Sequence, residues 1–351
     1  QLRRLGIHMT APAFHVQSIR FQLERHAFTT TCPNAMRIFQ RHEFDAALAA
    51  AVDAQGLMLH NNEKLLTLEP APTGIVVTTS KGCYHTKVVV AADGANSTVR
   101  RLLGLRSTYG IARLLRVLRP IDPAQTPHWQ TGQARFDFSC ISQGIQGYVW
   151  DFPCFVDHQP YINHGIFDSR IVPQAQITGE AHPPHHLKDV FAAHLRAQNV
   201  DLASTNLQGH PVRWFNANAE FARPHVLLVG DAAGVDALFA EGISYAMEYG
   251  AVAAAALRDA FVREDFSFGD YRARLLQHRL SRSLQRRALI ATHLYRFRQP
   301  WVWRWLWRAA AIAPAVVNQF IGAALDVLPP VHRRQQPYPS TKPTFVNSLN
   351  T

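Results

Sequence analysis

Residues 226–250, VLLVGDAAGVDALFAEGISYAMEYG, place Asp231 at the end of an apolar run, ring it with Gly230, Ala232, Ala233 and Gly234, and open a helical pattern at Gly242. A carboxylate at the carboxyl end of a central strand faces the crevice where α/β folds bind ligands, and its oxygens accept hydrogen bonds from sugar-like hydroxyls. The small residues let a backbone approach closely. A helix opening at Gly242 presents free N–H groups and a positive dipole end, which suit a phosphate or a ring that gains negative charge.

These residues need a strand and a helix around them, and the pattern supplies both. HVLLVGD reads as a buried, parallel-type strand, and the helix beyond it carries Ile243, Ala246, Met247, Gly250, Ala254, Leu257 and Phe261 on one face. Upstream, RHEFDAALAAAVDAQGLMLH sets Phe44, Leu48 and Val52 at helical spacing, stops at Gly56, and continues as an apolar strand, LMLH. GIVVTTSKGCYHTKVVVAADG carries two β-branched runs about Ser80, Lys81 and Gly82, a hairpin signal whose second run ends at Asp93 and Gly94. From Arg106 to Ala222 strands dominate, with QARFDFS, GYVWDFP and YINHGIF separated by turn residues. The expected class is α/β (α+β): a nucleotide-type domain at 1–105 and 223–265, a sheet-rich substrate domain inserted at 106–222, a helical region at 266–330 and a loose tail at 331–351.

The chain has 351 residues, 47% of them hydrophobic, which is enough for a large core and excludes a disordered class. Lys and Arg number 36 against 25 Asp and Glu, and between Tyr271 and Arg308 ten arginines occur with no acid among them. The run passes into PWVWRWLWRAAAIAPAVV, where four Trp surround Arg304 and Arg308. This pattern favours an interfacial helix, a peripheral membrane contact through Trp301 to Arg308, over a nucleic-acid platform, with core packing of the same indoles left open. The uncharged run from Ala309 to Leu325 is short and broken by Pro314, so a spanning helix is not expected. Cys32, Cys83, Cys140 and Cys154 have neither metal-ligand spacing nor a disulfide framework, and read as reduced thiols of a cytoplasmic protein. His182, His185, His186 and His194 share no ligand-like spacing with a carboxylate or Cys, so they read as a loop and a solvated helix face, and no metal is expected.

The stretch VGDAAGVDALFAEGISYAMEYG resembles the second flavin-binding motif of FAD-dependent oxidoreductases with the p-hydroxybenzoate hydroxylase fold. VVVAADGANSTVRRLLGL resembles that family's Asp-Gly motif, and RHEFD its Arg-containing helix start, in the family's order. The resemblance implies FAD, with Asp231 on the ribitol, Gly230 allowing close approach, and backbone N–H groups of Gly242, Ile243 and Ser244 at the flavin's pyrimidine edge. It further implies Arg41 near the phosphates or ribitol, and Asp93 with Gly94 beside the flavin.

Period-two alternation puts Tyr148, Trp150 and Phe152 on one strand face, with Val149 and Asp151 opposite. Tyr-x-Trp-x-Phe-Pro, through Pro153, resembles the substrate-pocket motif of geranylgeranyl reductases, whose later Gly-x-Gly is replaced here by Asn163, His164 and Gly165. Ala237 stands where the family usually has Pro, and Phe239 with Ala240 where it often has Thr-Gly. No Gly-x-Gly-x-x-Gly precedes Asp93, so the family's pyrophosphate-binding βαβ unit is missing from the sequence, which also begins with Gln1. A truncated record and a flavin-poor relative are the two readings of that gap, and Gln1 favours the first. The function expected is reduction of C=C bonds in a prenyl chain, with NAD(P)H or another reductant as electron donor. The alternatives are a flavin monooxygenase acting on an aromatic or polyketide-like substrate, a flavin-dependent halogenase, and a non-catalytic lipid- or membrane-binding relative.

Overall fold

The structure is a computed structural model that describes residue 2 and residues 7–31, 36–53, 57–105, 110–177, 186–297 and 300–312. Its strands are β1 (Ala13–His15), β2 (Ser18–Leu23), β3 (His26–Thr31), β4 (Arg37–Phe39), β5 (Leu65–Ala71), β6 (Gly74–Thr79), β7 (Cys83–Thr86), β8 (Val89–Ala91), β9 (Ile111–Pro120), β10 (Gln133–Asp137), β11 (Gly147–Val156), β12 (Gln159–Asp168), β13 (Gln208–Arg213), β14 (Ala222–Arg223) and β15 (Val226–Leu228). Its helices are α1 (Arg41–Asp53), α2 (Thr98–Leu102), α3 (Pro127–Gln130), α4 (Leu187–Arg196), α5 (Ile243–Arg263), α6 (Tyr271–Gln277), α7 (Arg279–Arg296) and α8 (Pro300–Ile312).

The largest layer is a seven-stranded sheet in the order β13-β9-β12-β11-β10-β2-β3. Strands β2 and β3 come from the first hundred residues, a span expected to belong wholly to the nucleotide-type domain. Here β2 runs parallel to β10, with Phe21 beside Phe136, so the large sheet recruits the early hairpin. Alternation explains the recruitment: Ile19, Phe21 and Leu23 are buried together on one face.

A small sheet, β14-β15-β8, carries the nucleotide-type elements, with β8 and β15 parallel and every residue of β15 buried. The hairpin about Ser80 to Gly82 is present as β6 and β7, but the run expected to continue to Asp93 divides after Thr86. Strand β7 pairs with β6 while β8 leaves to pair with β15. The expected strand LMLH does not form. Residues 57–60 are irregular, and Met58 is 83% exposed with Leu57 and Leu59 also exposed. An isolated apolar tetrapeptide has no ladder to satisfy its backbone, and a strand needs a neighbour.

The apolar face assigned to α5 is likewise reversed. Tyr245, Tyr249, Val252, Ala253, Ala256 and Ala260 are buried, whereas Ile243, Ala246, Gly250, Ala254 and Phe261 face outward. The helix is apolar nearly all round, so periodicity alone does not choose its inner face. The aromatic stripe wins because Tyr249 donates to the Gly234 carbonyl at 2.8 Å and Tyr245 meets Ser283 at 2.7 Å.

Several arginines of the run are paired with acids, and Arg282 and Arg286 lie exposed on α7. Arg274 pairs with Asp259 and Asp270, Arg279 with Glu248, and Arg304 with Glu24 at 2.7 Å. Within α8 the indoles divide: Trp303 is 2% exposed and Trp307 packs on Phe28 and Phe138, while Trp301 and Trp305 are 66% and 65% exposed. Core packing and an outward aromatic face thus occur on one helix. No helix among the described residues is long and apolar enough to cross a membrane. The part of the helical region beyond residue 312 and the tail lie outside the described residues, as do Cys32, His182 and His185. Cys83, Cys140 and Cys154 are free thiols.

Candidate flavin site

Strand β15 delivers the chain to Gly230, whose φ of +56° is left-handed, a conformation glycine adopts without strain. Asp231 follows within a single 3-10 turn, 230–232, and points at the start of α5. A Cβ built on Gly242 would stand 3.1 Å from Asp231 Oδ1, so Gly242 leaves the carboxylate against the helix entry. The first-turn N–H groups of α5, those of Ile243 and Ser244 among them, have no acceptor within the helix. Ser244 Oγ is turned back to Glu241 instead of capping the helix. The carboxylate and the helix entry therefore lie side by side.

Burial raises the Asp231 carboxyl pKa, and Arg41 opposes the rise from a distance. Arg41 opens α1, forms a bidentate pair with Asp45 (2.9–3.1 Å), and is near enough to Asp231 for the charges to couple. The structure thus brings Arg41, Gly230, Asp231, Gly242, Ile243 and Ser244 into one region. Asp93 is engaged within its own motif. Its Oδ2 accepts from the Val99 N–H at 3.0 Å, Gly94 takes a φ of +80°, and Ser97 caps α2, so the Asp-Gly motif builds the turn into a helix. From that helix the buried Arg100 reaches the carbonyls of Ala232 and Glu220 at 3.4 Å. The motif acts on the site through a carbonyl next to Asp231.

Between Gly234 and Gly242 the chain has no regular structure, yet its carbonyls are held from three sides. Tyr148 of β11 donates to Phe239 O at 2.7 Å, Ser169 to Ala237 O at 2.7 Å, and Tyr249 to Gly234 O at 2.8 Å. Asp236 accepts from the N–H groups of Leu238 and Phe239. Ala240 has a φ of +56° at the place where the family often has Gly, so the loop keeps the left-handed turn with an alanine, at about 1 kcal/mol of strain.

The sequence reading missed the group that clamps this loop. Arg287, one of the ten arginines, is 1% exposed and its Nη1 meets Asp236 Oδ2 at 2.6 Å and Glu241 Oε2 at 2.8 Å. Burial works against its charge, but Asp236, then Tyr245 and Glu241, outweigh it and keep the guanidinium protonated. Its signal is faint but present: Leu280, Leu284, Ala291 and Tyr295 surround position 287 at helical spacing and are all buried.

Tyr148 and Trp150 are buried and Phe152 half-buried, on the same face as Phe136, Phe138 and Phe239. Val149, Asp151 and Pro153 occupy the alternate positions, so Pro153 does not share the aromatic face. Gly165 lies opposite Trp150, and a Cβ there would fall 2.0 Å from the indole, so only glycine lets the ring lie flat. Asn163 accepts from Trp150 Nε1 at 3.3 Å. A separate cavity of about 1030 Å³, lined by Arg113, Leu115, Asp168, Arg170 and His210, borders β9 and β13 and includes none of the wall's rings.

This architecture is the fold of FAD-dependent oxidoreductases of the geranylgeranyl reductase type. A geranylgeranyl bacteriochlorophyll reductase-like protein from Thermoplasma acidophilum superposes with a TM-score of 0.67 at 21% identity, over 84% of this chain and 75% of that one. The halogenase PltM, solved with phloroglucinol and FAD, superposes with a TM-score of 0.60 at 16% identity, over 92% of this chain and 67% of that one. In sequence the chain is 26% identical over 244 residues to digeranylgeranylglycerophospholipid reductase 2 of Methanosphaera stadtmanae, covering 68% of this chain and 58% of that protein. Conditioned medium factor receptor 1 of Dictyostelium discoideum is 28% identical over 232 residues, covering 62% of this chain and 41% of that protein. The chain thus spans about half the length of these curated relatives. No protein-family model matches it.

The residues present fit the ribitol and ring end of FAD: a half-buried carboxylate, a left-handed glycine and an open helix start lie together there. Because burial raises the Asp231 pKa, the protonated form is favoured in the fold, and this contribution is lost as pH rises from the unfolded value of 3.8 through the raised folded one. At neutral pH the carboxylate therefore destabilises the flavin-free protein. Asp231→Asn is expected to raise the melting temperature of that form at pH 7 while weakening FAD uptake at least tenfold, read by thermal melts and by flavin fluorescence titration. Arg287→Met is expected to lose about 3–5 kcal/mol in urea unfolding by leaving Asp236 buried and unpaired, and adding Asp236→Asn should recover part of the loss.

Proposed function

We propose that the chain is the ring-binding and substrate-binding part of an FAD-dependent reductase that saturates C=C bonds of a prenyl chain. The observation that carries this reading is the bond from Tyr148 to the Phe239 carbonyl, which joins the aromatic wall directly to the loop between Asp231 and α5. The chemistry that bound, reduced FAD would supply is hydride donation, with NAD(P)H or another reductant as the electron source. Asp231 would accept from the ribitol hydroxyls, and the N–H groups of Gly242, Ile243 and Ser244 would stabilise negative charge at the pyrimidine edge. Tyr148, Trp150 and Phe152, with Gly165 making room for the indole, would line the apolar path and exclude water from it. Pro153 would act only by shaping β11, since it sits on the other face.

Support comes from the likeness to the digeranylgeranylglycerophospholipid reductase and the geranylgeranyl reductase-like fold. The halogenase neighbours favour a second reading, oxygen-dependent chemistry on an aromatic substrate. The two separate in one assay. With FAD-loaded, chemically reduced protein kept free of oxygen, a geranylgeranyl lipid is expected to reoxidise the flavin and gain hydrogen, read by absorbance and mass spectrometry. Inert behaviour without oxygen, together with hydroxylated or halogenated product in air, overturns the reductase reading. Protein that takes up no FAD at all leaves the non-catalytic, lipid-binding reading in its place.

A prenyl lipid must come from a bilayer, and the outward indoles Trp301 and Trp305 supply a peripheral contact for its delivery. Paired replacement, Trp301→Ala with Trp305→Ala, is expected to cut sedimentation with anionic vesicles several-fold without changing the circular dichroism. Equal sedimentation of the two proteins, or none by the wild type, removes the membrane contact.

A further inference from the structure

Behind the aromatic wall, on the opposite face of the same strands, lies a buried polar knot that the function does not use. Asp151 Oδ1 stands 2.6 Å from His164 Nδ1 and 3.0 Å from His194 Nε2. The Gln198 side-chain nitrogen is 3.0 and 3.1 Å from the two Asp151 oxygens and 2.6 Å from His194 Nε2. Arg135 Nη1 meets Asp151 Oδ2 at 3.2 Å. Asp151 and His164 face each other across β11 and β12, and His194 and Gln198 reach them from α4 and the turn after it. His194, expected on a solvated helix face, is therefore turned inward. The sequence shows no ligand-like spacing because the carboxylate and the two imidazoles come from positions 151, 164 and 194 on three elements.

Hydrogen bonds alone do not satisfy this geometry. Asp151 Oδ1, His194 Nε2 and the Gln198 amide form a triangle with every side between 2.6 and 3.0 Å. If His194 Nε2 carries its proton and donates to Asp151, that proton confronts the amide hydrogens of Gln198. If it accepts from Gln198, its lone pair confronts the Asp151 oxygen. Turning the amide over places its oxygen against the carboxylate instead. One side of the triangle repels in each of these arrangements.

We propose that Asp151, His164 and His194, with the Gln198 amide oxygen, bind a divalent transition-metal ion of the zinc class. A cation at the centre removes the repulsion by accepting a lone pair from each ligand. The Asp151, His164 and His194 ligand atoms lie within 4.8 Å of one another. A tetrahedral zinc site with bonds of about 2.0–2.1 Å sets its ligand atoms roughly 3.3 Å apart, so the 2.6 and 3.0 Å sides of the knot must widen by about 0.3–0.7 Å. The ligand set, imidazole and oxygen without thiolate, suits zinc, cobalt or nickel more than copper(I). Arg135 is shared between Asp151 at 3.2 Å and Asp137 at 2.7 Å, so one guanidinium faces two carboxylates and net negative charge remains for the ion. Bound there, the ion ties α4 to the back of the strand that carries Tyr148, Trp150 and Phe152.

The test uses the full chain, stripped with EDTA and desalted, with Zn²⁺ and Co²⁺ as probes. The wild type is expected to retain one equivalent of Zn²⁺ more than His194→Ala, to show tetrahedral Co²⁺ absorption, and to gain melting temperature with Zn²⁺ where the variant does not. Surface histidines contribute equally to both proteins and cancel. Gln198→Leu, which leaves the imidazoles in place, is expected to weaken retention at least tenfold and serves where His194→Ala does not fold. Equal retention by wild type and the folded variants, or no stoichiometric retention by the wild type, overturns the proposal.

Discussion

The fold around the candidate flavin site depends on holding an irregular loop, residues 234–242, in one conformation against the start of α5. Val235 pairs with the backbone of Arg213 and Phe215, and the rest of the loop, without a ladder, is held mainly by side chains. Arg287 is central to this. A guanidinium that is 1% exposed is tolerated only with full compensation, and Asp236 and Glu241 provide it from the loop itself. Asp236 then binds the N–H groups of Leu238 and Phe239, so one buried charge pair sets both the position and the internal shape of the segment. Tyr148 of the large sheet and Ser169, just after β12, complete the hold and tie the loop to the wall.

Strand β11 serves two environments because its side chains alternate. Its aromatic residues face the loop, while Val149 packs in a second core with Leu187, Val190, Phe191 and Leu195 of α4, and Asp151 enters the polar knot on that side. A change on either face is transmitted across a single backbone. The substitution of His164 for the middle position of a Gly-x-Gly pattern has its counterpart in Asp151, directly across the ladder. Asn163, in the place of the first glycine, is absorbed in the same way by the Trp150 indole.

Asp231 shows the usual conflict between stability and function. Its burial disfavours the charge that its hydrogen-bonding task requires, and Arg41 offsets only part of this. The exposed apolar residues of this region lie close to the same elements: Val90 on β8, Ile243 and Phe261 on α5, and Leu57 to Leu59 after α1. Periodicity put Ile243 and Phe261 on the apolar face of the helix, yet both stay exposed, Phe261 beside the Phe266 ring and Lys87.

Much was legible in the sequence itself. The apolar run before Gly230 and Asp231, the helix start at Gly242, the turn at Asp93 and Gly94, and the alternation of Tyr148, Trp150 and Phe152 are local properties. Each is decided by backbone preference or by a period of two, and each is found where the pattern puts it. The failures share another cause. Whether LMLH becomes a strand depends on a neighbour, which face of α5 turns inward depends on what packs there, and the destination of β2, β3 and β8 depends on pairing across long separations. The same is true of single side chains: Arg287 looks like nine other arginines until Asp236 is folded against it, and His194 looks solvated until α4 lays it on Asp151. Composition and spacing determined the chemistry offered at the flavin loop; only the tertiary structure decided which charges are buried and paired, because burial and long-range pairing are properties of neighbours that one-dimensional spacing does not contain.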